Sequence, residues 1–265
     1  RFKKAMDRAH AATAYTQRIT ALVADLAKSG LEVSHPLLEA RAETKHALLL
    51  VLTGNRGLCG GYNSNVQRAG LARWKELLAS VPQATLEVSG KRGVSAFKFR
   101  EITPHESFTH FEDKPAYDQV ELLANRYLDE FAAGKLDRLD VAYTRFEGIA
   151  KQTATVETLL PLGSLAGAGG EDASAAGGEL QYEFLPSAQS ILEEVVPASF
   201  KVKLFKCFLD AAVSEQIARM VAMKAATENA DKIIKKLSMT YNRARQSQIT
   251  GEIMEVLGGV EALKG

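Results

Sequence analysis

A glycine-rich segment at residues 54–61 is the first candidate for chemistry in this chain. Its sequence, GNRGLCGG, follows a run of apolar residues and precedes an amphipathic stretch. In α/β folds, a glycine-rich turn between a strand and a helix can hold a phosphate at the helix N-terminus. These glycines do not follow the G-x-G-x-x-G spacing of dinucleotide sites, and no Gly-Lys-Ser/Thr sequence ends the segment. We therefore expect a tight turn whose glycines supply positive φ angles, and no bound nucleotide.

Two further groups of reactive side chains are weaker candidates. The segment PHESFTHFED at residues 104–113 contains His105 and His110, whose spacing does not place them on one helical face. We predict a solvated polar loop there and no metal site. Cys59 and Cys207 are predicted to be reduced, packed thiols, although Cys59 stands beside a predicted helix N-terminus. The sequence shows no catalytic triad and no paired carboxylates, so we predict no catalytic residue and no cofactor.

The elements that carry these segments alternate between strands and helices. Predicted strands cover residues 46–53, 84–89, 139–146 and 153–160, and predicted helices cover 63–80, 117–133 and a short stretch within 90–99. This alternation is typical of right-handed crossovers and a mostly parallel sheet. We predict a Rossmann-like, three-layer α/β domain over residues 31–196, with a Gly/Ala-rich loop at 163–178.

A long helix is predicted to follow this domain, over residues 197–265. Its apolar stripe advances in steps of three and four residues, slips by one position near residue 249, and then resumes. Such spacing is typical of a coiled coil. Residues 1–30 show the same spacing and are predicted to form the antiparallel partner helix. At ~1.5 Å per residue, they cover less than half of the long helix. We therefore expect the rest to be covered either by a further N-terminal segment of about thirty residues or by other chains.

The charge of the chain is nearly balanced. The 265 residues include 33 basic and 32 acidic ones, so net charge gives no reason to expect nucleic acid or an anionic membrane as partner. No run of eighteen apolar residues exists that could span a bilayer. A basic face on the long helix is explained either by ordinary solvation or by docking against acidic segments of other subunits; it comprises Lys232, Lys235, Lys236, Arg243 and Arg245.

Three separated segments resemble the gamma, or central-stalk, subunit family of rotary F-type ATP synthases. They are NRGLCGGYN at 55–63, SEQIARMVAMKAATENA at 214–230 and YNRARQSQITGEIMEVLGGVEAL at 241–263. The order of helix, α/β insert and very long helix also matches. Val260 stands where the family usually has alanine, Gly54-Asn55 stand where it often has aspartate, and its first helical segment is absent.

The resemblance implies a non-catalytic rotor that transmits torque between an ion-driven membrane ring and the catalytic head. Its implied partners are the alpha and beta subunits, an epsilon-type stalk subunit and the membrane c-ring, in a hetero-oligomer. The implied location is the cytoplasmic face of an energy-transducing membrane, first a bacterial inner membrane, with an organellar membrane as the alternative.

The resemblance also assigns contact residues. The residues implied to contact the catalytic head are Arg219, Arg245, Gln246 and Thr250. Those implied to form an apolar bearing at the tip are Ile249, Val256 and Val260. Two residues are implied to approach the membrane ring, Tyr182 and Glu183. No dithiol switch is implied. The alternatives are a small α/β nucleotide-binding enzyme with a coiled-coil oligomerisation arm, and a general coiled-coil adaptor. An enzyme would concentrate polar side chains at the strand C-termini, whereas the strongest signals here lie along the helix.

Overall fold

The computed structural model describes residues 35–39, 41, 43–111, 114–162 and 188–263, with side chains of the last range described from Glu193 onward. The predicted N-terminal helix at 1–30, the Gly/Ala-rich loop at 163–178, and Tyr182 and Glu183 therefore lie outside the described residues.

A five-stranded sheet forms the centre of the described α/β part. Its strands are β1 (His46–Leu52), β2 (Gln83–Ser89), β3 (Glu106–Phe108), β4 (Arg138–Phe146) and β5 (Gln152–Leu160). Their order is β3-β2-β1-β4-β5, with parallel pairing from β3 through β4 and antiparallel pairing of β5 with β4. The predicted mostly parallel sheet is thus confirmed. Two features were not predicted: the antiparallel edge strand β5, and β3, which lies inside the segment predicted to be a loop.

Helices cover both faces of the sheet. They are α1 (Tyr62–Ser80), α2 (Lys91–Lys98), α3 (Tyr117–Ala132) and α4 (Ala188–Ala262). The alternation of β1 directs Ala47, Leu49 and Val51 to the core shared with α1 and α2, and Leu48, Leu50 and Leu52 to the core shared with α3 and α4. Connections β1–β2 and β3–β4 run in opposite directions across the sheet, so right-handed crossovers place α1 and α3 on opposite faces. The three-layer prediction is confirmed.

The long helix begins earlier than predicted. It starts at Ala188 and continues for 75 residues, so Pro197 lies inside it and not at its first turn. An internal proline costs about 3 kcal/mol because it removes a hydrogen bond and crowds the preceding turn. Val196 and Phe200, on either side of it, are completely buried against the sheet. Because burying each such side chain contributes roughly 1.5–3 kcal/mol, packing outweighs the local penalty.

The chain divides into two compact units, the first ending at Arg219 and the second beginning at Met220. In the first unit, α4 contributes buried residues to the core, including Phe200, Leu204 and Phe208. In the second unit, every described residue from Met223 onward is exposed. Its apolar side chains are exposed too, for example Leu237 at 62%. None of the described helices has the length and hydropathy that crossing a membrane requires.

One buried carboxylate fastens the amino edge of the sheet. Asp137 accepts hydrogen bonds from the backbone N–H groups of Lys45 at 2.8 Å and His46 at 2.9 Å, and it pairs with Arg41 at 2.5 Å. Burial alone would raise the pKa of Asp137, but these donors outweigh burial and hold the pKa below its ordinary value. The carboxylate therefore stabilises the fold in its ionised form.

We expect Asp137→Asn to lower the free energy of unfolding at pH 7 by about 1.5 kcal/mol, the scale of hydrogen bonds to a charged group. Because the folded-state pKa of Asp137 is depressed, its contribution is present above the ordinary value of 3.8 and is lost as pH falls below it. Urea denaturation at a series of pH values checks this. The exposed Asp129→Asn variant is the control, and a stability difference that stays constant down to pH 3 would contradict the assignment.

Candidate functional site

The glycine-rich loop, residues 54–61, connects β1 to α1 at the carboxyl edge of the sheet. Asn55 fastens it to two neighbouring segments. Its side-chain amide donates hydrogen bonds to the carbonyl oxygens of Thr109 at 3.1 Å and Phe111 at 2.9 Å, and its Oδ1 accepts the N–H of Lys91 at 3.0 Å. Sequence reasoning treated Asn55 only as a departure from the family pattern. No local signal reveals its role, because its partners lie 36 to 56 residues away.

The glycines of this loop serve mainly to leave space. Of the four, Gly60 has a positive φ, 55°, as predicted. Gly54 instead admits a neighbouring side chain, because a Cβ atom there would lie 2.6 Å from Oε1 of Glu215. A Cβ at Gly57 would similarly lie 2.9 Å from the guanidinium of Arg92. The prediction that the glycines supply positive φ angles therefore explains only part of the loop.

Leu58 is the residue of this loop that the sequence analysis missed. It adopts a φ of 62°, which is uncommon for a residue with a side chain, and 73% of its surface is exposed. Leu58 and the still more exposed Phe99 line a surface groove together with Arg92 and Arg100. This groove has no acidic lining residue among those described.

The space between the glycine-rich loop and α4 is too small for a ligand. The cavity between the glycine-rich loop and α4 has a volume of about 40 Å³, and its lining includes Thr53, Tyr62 and Glu215. Small-molecule sites usually occupy roughly 300–1,000 Å³. Burial raises the pKa of the Tyr62 hydroxyl, and the nearby carboxylate of Glu215 raises it further. Side chains of the protein itself therefore fill the space between the loop and α4, and the larger groove beside Leu58, of about 540 Å³, is open at the surface.

Both cysteines are buried and free. The Cys59 thiol accepts a hydrogen bond from the side-chain amide of Asn63 at 3.0 Å, which links the loop to the first turn of α1. Burial raises the pKa of the Cys207 thiol, with the Glu157 and Asp210 carboxylates adding to the effect. A raised pKa keeps that thiol protonated and unreactive at neutral pH.

The histidine-containing segment is only partly the predicted solvated loop: His105 and His110 are exposed, as predicted. Its residues 106–108 form β3, and Phe108 is buried because it enters the core beneath α3 and α4. The His110 ring packs 4.2 Å from that of Phe111. Glu112 and Asp113 lie outside the described residues. Across the ranges that the structure describes, no group of three His, Cys, Asp or Glu side chains is placed to hold a metal ion.

A buried ion pair joins β2 to α3. The Arg126 guanidinium donates to both carboxylate oxygens of Glu87, at 2.8 and 2.6 Å, and the Tyr127 hydroxyl donates at 2.6 Å. Arg126 also contacts Glu106 of β3. Burial raises the pKa of Glu87, and the Arg126 and Tyr127 donors act against this rise. The donors of Arg126 and Tyr127 satisfy the Glu87 carboxylate, so the group connects β2 and β3 to α3.

The residues assigned to the catalytic head fall in different surroundings. Arg245, Gln246 and Thr250 are exposed in the second unit, where the Thr250 hydroxyl donates to the Gln246 carbonyl at 2.8 Å. Arg219 instead belongs to the first unit, where its side chain is 20% exposed and pairs with Glu215. The structure therefore does not group Arg219 with the other three.

The three residues assigned to the tip share one helical face. Ile249, Val256 and Val260 are exposed. At ~100° per residue, they lie within about 40° of one another around the helix. Sequence spacing alone predicts this arrangement once the helix is known to be continuous.

Comparison with known proteins identifies the class. A family model described as ATP synthase matches residues 1–263. The ATP synthase gamma chain of Rhodopirellula baltica is 63% identical and is matched over 100% of this chain and 90% of its own length. That of Rhodospirillum rubrum is 36% identical, over 99% of this chain and 90% of its own. The chain therefore belongs to the ATP synthase gamma-chain family.

Solved structures agree at the level of the fold. A chain of the Euglena gracilis mitochondrial ATP synthase, in an assembly of OSCP, F1 and c-ring, matches with a TM-score of 0.58 at 20% identity, covering 99% of this chain and 94% of that one. A chain of the Tetrahymena thermophila central stalk and c-ring matches with a TM-score of 0.52 at 16% identity, covering 84% and 99%. The α/β domain with its long C-terminal helix is thus a central-stalk fold.

We expect the glycine-rich loop to bind no nucleotide, because its side chains and α4 occupy the carboxyl edge. Calorimetric titration of the full chain with ATP and, separately, NAD should give no saturable heat. Saturable binding that is abolished by substitutions at Gly57 and Gly60 would contradict this. A binding heat that survives both substitutions would place a nucleotide elsewhere on the chain.

Proposed function

We propose that this chain is the central-stalk rotor of an F-type ATP synthase and transmits torque between the ion-driven membrane ring and the catalytic head. The observation that carries the proposal is α4, a single 75-residue helix whose first part is built into the α/β core and whose residues from Met223 onward are exposed. A helix of that length is roughly 110 Å long at ~1.5 Å per residue.

The exposed apolar side chains of the second unit favour a function in contact with other proteins. Ile234, Leu237 and Tyr241 are each about 60% exposed or more and continue the three-four spacing of a coiled-coil seam. Contiguous exposed apolar surface of this kind usually marks an interaction site. A shaft made this way acts on its neighbours only through contacts that differ between their conformational states.

The chain is a subunit of the synthase complex and not its catalytic subunit, and it belongs to the peripheral part of a membrane-associated assembly. Its partners are the alpha and beta subunits, the epsilon-type stalk subunit and the c-ring. We place it on the cytoplasmic face of the membrane, where the catalytic head of a bacterial enzyme resides. Torque transmission needs no bound cofactor on this chain.

Three exposed residues are proposed to contact the beta subunits, namely Arg245, Gln246 and Thr250. Arginine and glutamine supply several hydrogen-bond donors, which suits directional contacts with carboxylates and carbonyl groups. Arg219 is proposed to reach the head only with the exposed part of its side chain. Ile249, Val256 and Val260 are proposed to form the apolar bearing, since they share one face. Tyr182 and Glu183 remain proposed contacts with the membrane ring.

The enzyme alternative is less well supported. A nucleotide-binding enzyme would need an enclosed, ligand-sized space at the carboxyl edge. The cavity beside Glu215 measures about 40 Å³, and the larger groove beside Leu58 is open at the surface. The coiled-coil adaptor alternative predicts that the chain binds partners without rotating. Co-purification with alpha and beta subunits would argue against the enzyme, and rotation of the chain within the assembled complex would separate the rotor from the adaptor.

We expect the double substitution Arg245→Ala and Gln246→Ala to weaken the coupling of rotor and head without unfolding the α/β domain, since both side chains are exposed in the second unit. Losing two charge-assisted or polar contacts of about 1.5 kcal/mol each should lower coupled ATP synthesis at least tenfold. The measurement is ATP synthesis by membrane vesicles under an imposed ion gradient.

The matched control is Lys224→Ala with Asn229→Ala, an equally exposed pair on the same helix outside the assigned contacts. It should leave ATP synthesis near the unmodified rate. Normal synthesis by the Arg245/Gln246 variant, or an equal loss in both variants, would refute the assignment of these two residues.

A further inference from the structure

A carboxylate of α4 lies against the glycine-rich loop. Glu215 lies so near Gly54 that a Cβ atom added there would meet Oε1 at 2.6 Å, the carboxyl carbon at 2.7 Å and Oε2 at 2.9 Å. Gly54 is itself fixed, because its N–H donates to Oδ1 of Asn63 at 2.9 Å and its carbonyl accepts the N–H of Arg92 at 3.2 Å. The carboxylate therefore rests against backbone that cannot easily move.

Glu215 is held from its other side by α4 itself. Arg219, one turn further along, pairs with its Oε1, and only 11% of the Glu215 side chain is exposed. A carboxylate buried to this extent is costly unless it is paired, so its position is specified by its partners rather than by apolar packing. The ring of Tyr62, at the start of α1, borders the same cavity. Burial raises the pKa of its hydroxyl, and the Glu215 charge adds to this rise.

Two further ion pairs flank the buried stripe of α4. Lys201 pairs with Glu121 of α3 at 3.0 Å, and Lys203 pairs with Glu157 of β5 at 3.6 Å. At ~100° per residue, these two lysines point about 160° apart around the helix, and Glu215 lies between them on the side of the buried residues. Contacts on both flanks and one on the buried side oppose rotation of α4 about its own axis.

Apolar packing opposes a large rotation of α4, because such a rotation would expose Phe200 and Leu204, which are completely buried. The hydrophobic effect itself is non-directional, so it defines small changes of angle less sharply. Charge-assisted hydrogen bonds have preferred distances and directions. Of the three charged side chains, Glu215 is the one that lies directly against the backbone of Gly54. Glu215 also lies in the last turns of α4 before the second unit begins.

We propose that Glu215, positioned by Arg219 and seated against Gly54, fixes the rotational position of α4 in the α/β domain and so carries torque between helix and domain. This rests on the proposed rotor function and deepens it, because it assigns the glycine-rich loop a mechanical role. Glu215 and Arg219 act as positioning residues. Gly54 is required because any side chain there would displace the carboxylate.

The test uses the assembled synthase with its head immobilised and a bead attached to the α/β domain through Lys135→Cys. Lys135 is exposed, and the native thiols of this chain, Cys59 and Cys207, are buried, so labelling within the chain is selective once accessible cysteines of the other subunits are replaced. Angular fluctuation of the bead without nucleotide reports torsional stiffness, and rotation with ATP reports rotor function. The variants are Glu215→Gln, Arg219→Gln, their double mutant and Gly54→Ala.

Glu215→Gln keeps the size of the side chain but removes its negative charge, so the ion pair with Arg219 becomes a weaker hydrogen bond from Arg219 to a neutral acceptor. We therefore expect angular variance to rise by up to about twofold. Arg219→Gln should act similarly, and the double mutant should add less than the sum because both remove one contact. Gly54→Ala should shift or broaden the resting angle. Gly148→Ala, with no atom within 4 Å of the added Cβ, is the matched control and should behave as the unmodified enzyme.

The outcomes separate the two proposals. If the unmodified complex does not rotate with ATP, the rotor function fails. If it rotates but Glu215→Gln and Arg219→Gln are as stiff as the unmodified complex, the positioning role of Glu215 is overturned. A loss of stiffness in Gly148→Ala equal to that of Gly54→Ala would also overturn it. Should Gly54→Ala fail to assemble, Glu215→Gln decides the matter, because it changes no steric volume.

Discussion

The packing of the first part of α4 against the sheet is the constraint on which the rest of this structure depends. Val196, Phe200 and Leu204 are completely buried and share a core with α3 and the central strands. That burial holds the helix through Pro197 and makes it part of the α/β domain rather than an appendage. The same helix then continues into residues that are exposed, so one element combines an anchored and an exposed part.

Charged side chains refine this anchoring. Glu157 of β5 accepts hydrogen bonds from the Tyr143 hydroxyl at 2.7 Å and from Arg145 at 3.0 Å, and it also faces Lys203 of α4. Burial would raise the pKa of Glu157, but these donors outweigh it and lower the pKa, so the carboxylate stays ionised. Buried pairs of this type add little net stability compared with apolar residues, yet they select one relative placement of their elements. A shaft that must not slip needs such selectivity more than extra stability.

The glycine-rich loop shows how a familiar pattern can serve a different purpose. Its place at the carboxyl edge of a parallel sheet is where α/β proteins bind nucleotides. Here the space is occupied from within, by Glu215 and Tyr62, and Asn55 fastens the loop to its neighbours. Glycine is used at Gly54 for close approach of a side chain, not for a phosphate. The position of a loop in a fold therefore does not define its function, which is set by the groups that fill the site.

By itself, the sequence determined the alternation of strands and helices, the continuous C-terminal helix and the family to which the chain belongs, because each follows from local periodicity or from contiguous motifs. Element bounds such as Tyr117–Ala132 agree with prediction to within a residue. Only the tertiary structure decided that the helix passes through Pro197, that β3 forms at an edge, that β5 runs antiparallel, and that Arg219 pairs with Glu215 beside the glycine-rich loop. These features depend on contacts or burial that residue spacing does not specify: Gly54 and Glu215, for instance, lie far apart in the chain and meet only when α4 packs across the edge of the sheet.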